Sequence, residues 1–190
     1  EFVYDGESNR PYRPDSEANP INVNGQSKLA GEQRVTSVLP DRSVIIRTGW
    51  LFSHVGRNFL TTMLSLMASR DRLSVVCFLV GVQTSCVVFC YVFWVFVLCP
   101  YLSGVFHFSG AGVASWYDLA AYISYRARQL SILESQCCVE PVSAEEYGAT
   151  APRPTFSVLD CSGTYDALAI SPTHWMKSVD KELNLVKKNA

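Results

Sequence analysis

Two polar side chains in the segment "PINVNGQSKLAGE", Asn24 and Lys28, have a spacing that could do chemistry. In a helix they lie on one face, one turn apart. An ammonium one turn from a phenol lowers the phenol's pKa, so that the phenol can pass a proton to a carbonyl oxygen. Position 24 holds no phenol. An Asn amide can hydrogen-bond an oxygen but has no usable proton near neutral pH, so the pair as it stands can bind and cannot act as a general acid. A lone helical lysine is by default a solvated cation, and Lys28 needs further context to be more than that.

Other candidates are weaker. "SGAGVAS" at 109–115 follows a strand-like run and opens a helix, and Gly110-x-Gly112 imitates a dinucleotide fingerprint. It lacks the third Gly and an acidic residue at the right distance, so it reads as a structural turn. No G-x-S-x-G occurs, and His54, His107 and His174 have no metal-ligand spacing. Hydrolase and metalloenzyme chemistry therefore have no support, and no metal is expected. Arg153 in "PRPTFSVLDCS" is a solvated cation by default.

The elements that would position these residues alternate between helix and strand. "FVY" at 2–4 reads as a strand end running into Asp5-Gly6, and "RPYRPDSEANP" as loop. A helix is predicted from about Val23 to Val38, stopped by Pro40. "SVIIRT" at 43–48 has the β-branched, continuous apolar character of a strand buried on both faces of a parallel sheet. Asn58 can cap a second helix carrying Phe59, Leu60, Met63, Leu64 and Met67 at helical spacing, and "LSVV" at 73–76 is a further strand. Then come a strand "VFHF" at 105–108, a helix opened by the capping box Ser115/Asp118, a short strand "VLDC" at 158–161, and a terminal helix in "THWMKSVDKELNLVKK" with its cations toward the C-terminal end.

The 190 residues, nearly half apolar, suit one folded unit, and 16 basic against 17 acidic residues leave no electrostatic reason to expect a nucleic acid or a polybasic membrane contact. The partner is expected to be small. The sequence opens at Glu1 with nothing that reads as a signal peptide, and seven scattered cysteines fit a reducing, cytoplasmic compartment.

Residues 77–102, "CFLVGVQTSCVVFCYVFWVFVLCPYL", fit this pattern poorly. No charge occurs between Leu73 and Tyr117 apart from a protonated form of His107, and 86–99 is apolar throughout. The run 86–99 is short for a membrane span, and Gln83, Thr84 and Ser85 interrupt the longer window 75–102. A buried or aberrant segment is the preferred reading over a transmembrane one. Its Val, Phe, Tyr and Trp content favours strand over an exposed helix, and a change of reading frame or a retained intron would account for it.

Several motifs taken in order resemble the dTDP-4-dehydrorhamnose reductase family of extended short-chain reductases, with an RmlD-like substrate-binding domain. They are "FVYDGESNRPYRPDSEANPINVNGQSKLAGEQRV", "IIRTGWLFSHVGRNFLTTML", "GVFHFSGAGVASWYDLA" and "PRPTFSVLDCS". The resemblance covers about 2–76 and 104–185. It implies an α/β fold: the distal part of a Rossmann-like doubly wound parallel sheet (1–76), an interrupting apolar segment (77–103), and a small α/β substrate-binding lobe with the C-terminal helix (104–190).

The resemblance also implies roles for individual residues. Lys28 matches the lysine of the catalytic Tyr-x-x-x-Lys motif, which also contacts the cofactor ribose, and Asn24 stands at the Tyr position. Trp50 matches an aromatic lining the sugar-nucleotide site, and Asn58, Phe59 and Arg153 fall in motifs near that site. The implied reaction is reduction of a 4-keto-6-deoxy sugar nucleotide by NADPH (or NADH) in dTDP-L-rhamnose biosynthesis. The family's Gly-rich pyrophosphate turn has no match in this sequence, so the chain alone is expected neither to hold the cofactor nor to turn over. A homodimer is compatible with the family. The alternative is a noncatalytic regulatory relative such as the β subunit of methionine adenosyltransferase.

Overall fold

A computed structural model describes residues 1–134, 136–148 and 151–189. The first helix, α1 (Val23–Val38), is capped by the Asn22 side chain, which accepts the Gly25 N–H at 2.8 Å. Its span is the one predicted. Two strands follow, β1 (Val44–Arg47) and β2 (Leu51–Phe52), then α2 (Phe59–Ser69) and β3 (Arg72–Val76). As predicted, Asn58 caps α2, through a full capping box with Thr61.

Residues 77–102 are built into the fold. They supply β4 (Val80–Gly81), β5 (Thr84–Ser85) and α3 (Cys86–Leu98). The preference for strand over helix is thus corrected for 86–98. Those side chains pack as a helix because Val92 and Phe96 on one face are buried against Phe106 and Phe108, a tertiary contact that overrides β propensity. Among the described residues no helix is long and apolar enough to cross a membrane.

The rest comprises β6 (Gly104–His107), β7 (Ala114–Ser115), α4 (Trp116–Gln129), β8 (Cys138–Val142), β9 (Phe156–Ser157), α5 (Ser162–Ala167) and α6 (Trp175–Asn189). The α4 capping box is present as predicted, with Ser115 accepting the Asp118 N–H at 3.0 Å and Asp118 accepting the Ser115 N–H at 2.8 Å.

The pairings are mostly parallel: β1 with β6, β2 with β5, β3 with β8, and β4 with β9, with β7 antiparallel on the other side of β4. Three expectations about strands need correction. Residues 2–4 form a turn, Tyr4 N–H donating to the Glu1 carbonyl at 3.2 Å, since among the described residues no strand lies alongside to complete a ladder. The last short strand lies at 156–157 and not at 158–161, because β4 pairs with Phe156 and Ser157; only Leu159 makes a further bridge, to Tyr12. Finally, β1 is half-buried along its length and not buried on both faces. Among the described residues it is paired on one edge only, and α3 packs against Val44 and Ile46.

The main core joins α2, β3, α4 and α6 through Leu60, Met67, Leu73, Leu119, Ile123 and Leu183. A second buried cluster ties the N-terminal turn to the segment around β9. There Tyr4 and Tyr12 stack at 4.1 Å, and Tyr4 meets His107 of β6 and Arg47 of β1.

Candidate active site

A cavity of about 620 Å³ opens where the C-terminal ends of β1 and β3 meet the first turns of α2 and α4, the place where open α/β sheets bind ligands. Each wall follows from local structure. The Asn58 side chain accepts the N–H groups of Leu60 and Thr61, and its amide donates to the carbonyls of Ser53, Val55 and Gly56. Asn58 is therefore fully occupied in folding the 53–58 loop, and it is Phe59, the first residue of α2, that enters the cavity. Likewise the Ser115/Asp118 box starts α4 so that Trp116 faces the same space.

Trp50 holds the cavity's other aromatic wall. Its backbone lies in the left-handed region at φ 41°, a conformation that costs a bulky residue on the order of 1–3 kcal/mol and persists only where the surroundings enforce it. The enforcement is visible. Its indole stacks on Trp116 at 3.8 Å, with the planes 7° apart, and runs over Gly81, where a Cβ would stand 2.9 Å from the Trp50 ring and 2.6 Å from Ser157 Oγ. Phe59 leans on Trp116 at 4.5 Å. Arg153 is exposed at the cavity and, among the described residues, pairs with no carboxylate. An apolar, aromatic-walled space with such a guanidinium at its edge suits a ligand with flat or ring-shaped parts and an anionic group.

The sequence-predicted residues divide into two groups. Trp50, Phe59 and Arg153 come together, with Asn58 behind Phe59. Lys28 and Asn24 lie on the exposed side of α1, and neither lines any of the cavities described. Lys28, the residue that the resemblance assigns to the cofactor ribose, is thus exposed on α1 and outside the cavities described. Trp116, Tyr147, Thr62, Met63 and Ser157 line the cavity without having been singled out from sequence. Trp116 had a usable signal, since it is the first helical residue after a capping box.

Two polar networks, one around Glu182 and one around Arg47, brace the elements near the cavity and α1. Glu182 of α6, 1% exposed, accepts the His54 N–H at 2.9 Å, meets His54 Nδ1 at 2.6 Å and accepts the Ser85 hydroxyl at 2.6 Å. It thereby ties the 53–58 loop and the start of α3 to the C-terminal helix. The α1 helix is held by Glu32, one turn after Lys28, which receives a forked hydrogen bond from Arg47 with contacts of 2.6 and 3.1 Å. Arg47 also donates to the Tyr4 hydroxyl at 2.6 Å, and that hydroxyl meets His107 Nε2 at 2.9 Å. Burial, reinforced by the Arg47 charge, pushes the His107 pKa down to about 4. Burial raises that of Tyr4, against the pull of Arg47.

Comparison with known proteins places this architecture in a class. The fold is the Rossmann-like reductase fold. The chain superposes on a dTDP-4-dehydrorhamnose reductase from Clostridium acetobutylicum with a TM-score of 0.87 at 33% identity, covering 98% of this chain and 63% of that one. It superposes on the Bacillus anthracis dTDP-4-dehydrorhamnose reductase in complex with NADP with a TM-score of 0.85 at 31% identity, over 97% and 63% of the two chains. Within that class, the chain belongs to the RmlD substrate binding domain family, which matches residues 1–187. That range includes 77–102. Among curated relatives, the spore coat polysaccharide biosynthesis protein SpsK of Bacillus subtilis is 34% identical over 96% of this chain, and a dTDP-4-dehydrorhamnose reductase of Aggregatibacter actinomycetemcomitans is 32% identical over 94%. The chain spans 61% and 62% of the lengths of these two relatives.

Proposed function

We propose that this chain is the substrate-binding part of a dTDP-4-dehydrorhamnose reductase-like protein and that its aromatic cavity takes a dTDP-linked 4-keto-6-deoxy sugar. The observation that carries the reading is the convergence of Trp50, Trp116, Phe59 and Arg153 on one cavity at the strand ends of a chain in this family. The rings offer apolar faces to the sugar and base, while Arg153 offers charge-assisted hydrogen bonds to the diphosphate. Reduction by NADPH is the reaction we assign to a complete protein of this type, with Lys28 contacting the ribose. In the chain as it stands no reduction occurs. Asn24 supplies no proton, and the α1 face that carries it stands apart from the sugar cavity.

The test has two arms. Titration with dTDP should quench tryptophan fluorescence in a saturable way. The chain mixed with NADPH and dTDP-4-dehydrorhamnose should show no loss of NADPH absorbance above the uncatalysed rate. Turnover would refute the inactive reading, and absence of dTDP binding would refute the assignment of the cavity.

A further inference from the structure

The helix α3 is apolar on both faces. Its inner face, Val88, Phe89, Val92 and Phe96, packs on β6 and the residues after it, with Phe96 against Phe106 at 4.8 Å and Phe89 against Phe108 at 6.3 Å. The outer face carries Val87, Tyr91, Trp94 and Leu98 at spacings of four, three and four, with Cys90 and Val97 beside them and Tyr101 just past the helix end. All are exposed, Trp94 at 62% and Leu98 at 77%. Alternating four and three is the seam pattern by which one helix packs along another.

We propose that this seam is a self-association surface, and that two copies of the chain pack their α3 helices antiparallel about a two-fold axis near Trp94. Charge favours a second copy as the occupant. The seam residues Val87, Tyr91, Trp94 and Leu98 carry no charge, and the exposed Arg42 stands to one side, in the groove with Phe93 and Val97, so the seam itself offers a charged partner nothing to pair with, whereas an isologous contact sets apolar side chain against apolar side chain. Length and composition disfavour a bilayer. The 13 residues of α3 reach about 20 Å, short of the roughly 30 Å hydrocarbon core, and the helix has no basic polar face of the kind interfacial helices use. Area also fits. An aromatic side chain carries roughly 150–250 Å², so Tyr91, Trp94 and Tyr101, each more than half exposed, together with the exposed Val87, Val97 and Leu98 present on the order of 500 Å² per copy. Two copies reach on the order of 1,000 Å², where specific interfaces begin.

Sedimentation velocity of the whole chain across a concentration series tests this. The expected result is a monomer–dimer equilibrium that Leu98→Glu weakens at least a hundredfold while the thermal melt stays unchanged, because Leu98 contributes nothing to the core. A second variant covers the case in which the glutamate unfolds the chain. In an antiparallel pair centred on Trp94, position 98 of one copy lies opposite Cys90 of the other. Leu98→Cys treated with copper phenanthroline in air should therefore give a disulfide between position 98 of one chain and Cys90 of the second, mapped by mass spectrometry. A monomer at all concentrations, a dimer indifferent to Leu98→Glu, a graded series of aggregates, dissociation onto phosphatidylcholine vesicles, or absence of that crosslink would each overturn the proposal.

Discussion

The indoles of Trp50 and Trp116 stack 3.8 Å apart and 7° from parallel, although α2, α3 and the strands β2 to β7 lie between them in the chain. Gly81 makes this pairing sterically feasible. Gly81→Ala would place a methyl group 2.9 Å from the Trp50 ring and 2.6 Å from Ser157 Oγ, so the indole must shift. Overpacking of this kind costs about 1–3 kcal/mol. The expected outcome is a modest drop in the urea midpoint together with at least a tenfold loss of dTDP affinity. Unchanged affinity would mean that the Trp50 position does not shape the cavity.

Glu182 predicts a larger effect on stability. Glu182→Ala leaves the His54 N–H and the Ser85 hydroxyl without their shared acceptor, and lost buried hydrogen bonds to a charged group cost about 2–4 kcal/mol together. Glu182→Gln keeps an acceptor and should cost less. Denaturant unfolding measures both, and hydrogen exchange should show faster opening of the 53–58 loop in the alanine variant.

His107 makes the fold sensitive to acid. Its folded pKa of about 4 lies below the ordinary value of 6.5, so between those pH values the unfolded chain binds a proton that the folded chain does not. Stability therefore falls as pH drops from about 6.5 to 4, by about 3 kcal/mol for this group. His107→Gln should flatten that part of the pH–stability profile, whatever its effect at pH 7.

Asn24 carries a prediction about activity. Asn24→Tyr restores a phenol one turn before Lys28, but on a helix face that lines none of the described cavities. NADPH oxidation by this variant of the chain should remain at the uncatalysed rate. A measurable rate would show that position 24 reaches substrate after all.

What could be read from sequence follows what local physics determines. The helices α1, α2 and α4 were legible because caps and stops are local: Pro40 after α1, Asn58 before α2 and the Ser115/Asp118 box before α4. The β8 strand was not, because Pro141 argues against a strand until β3 lies beside it; as an edge strand it tolerates the missing donor. The two-residue strands β2, β4 and β5 exist only through their partners. The family motifs pointed to Trp50, Phe59 and Arg153, which line one cavity in the fold. The meeting of Trp50 with Trp116 and the hold of Glu182 on His54 join residues 66 and 128 positions apart, and no local pattern announces them.

Isothermal titration of the chain with dTDP-L-rhamnose, alongside the Trp50→Ala and Arg153→Ala variants, tests the central claim most directly. One site per chain is predicted, weakened at least tenfold by each substitution while the thermal melt of the Arg153 variant is unchanged, since Arg153 is exposed. An absence of binding by the folded wild-type chain, or binding indifferent to both substitutions, would contradict the account.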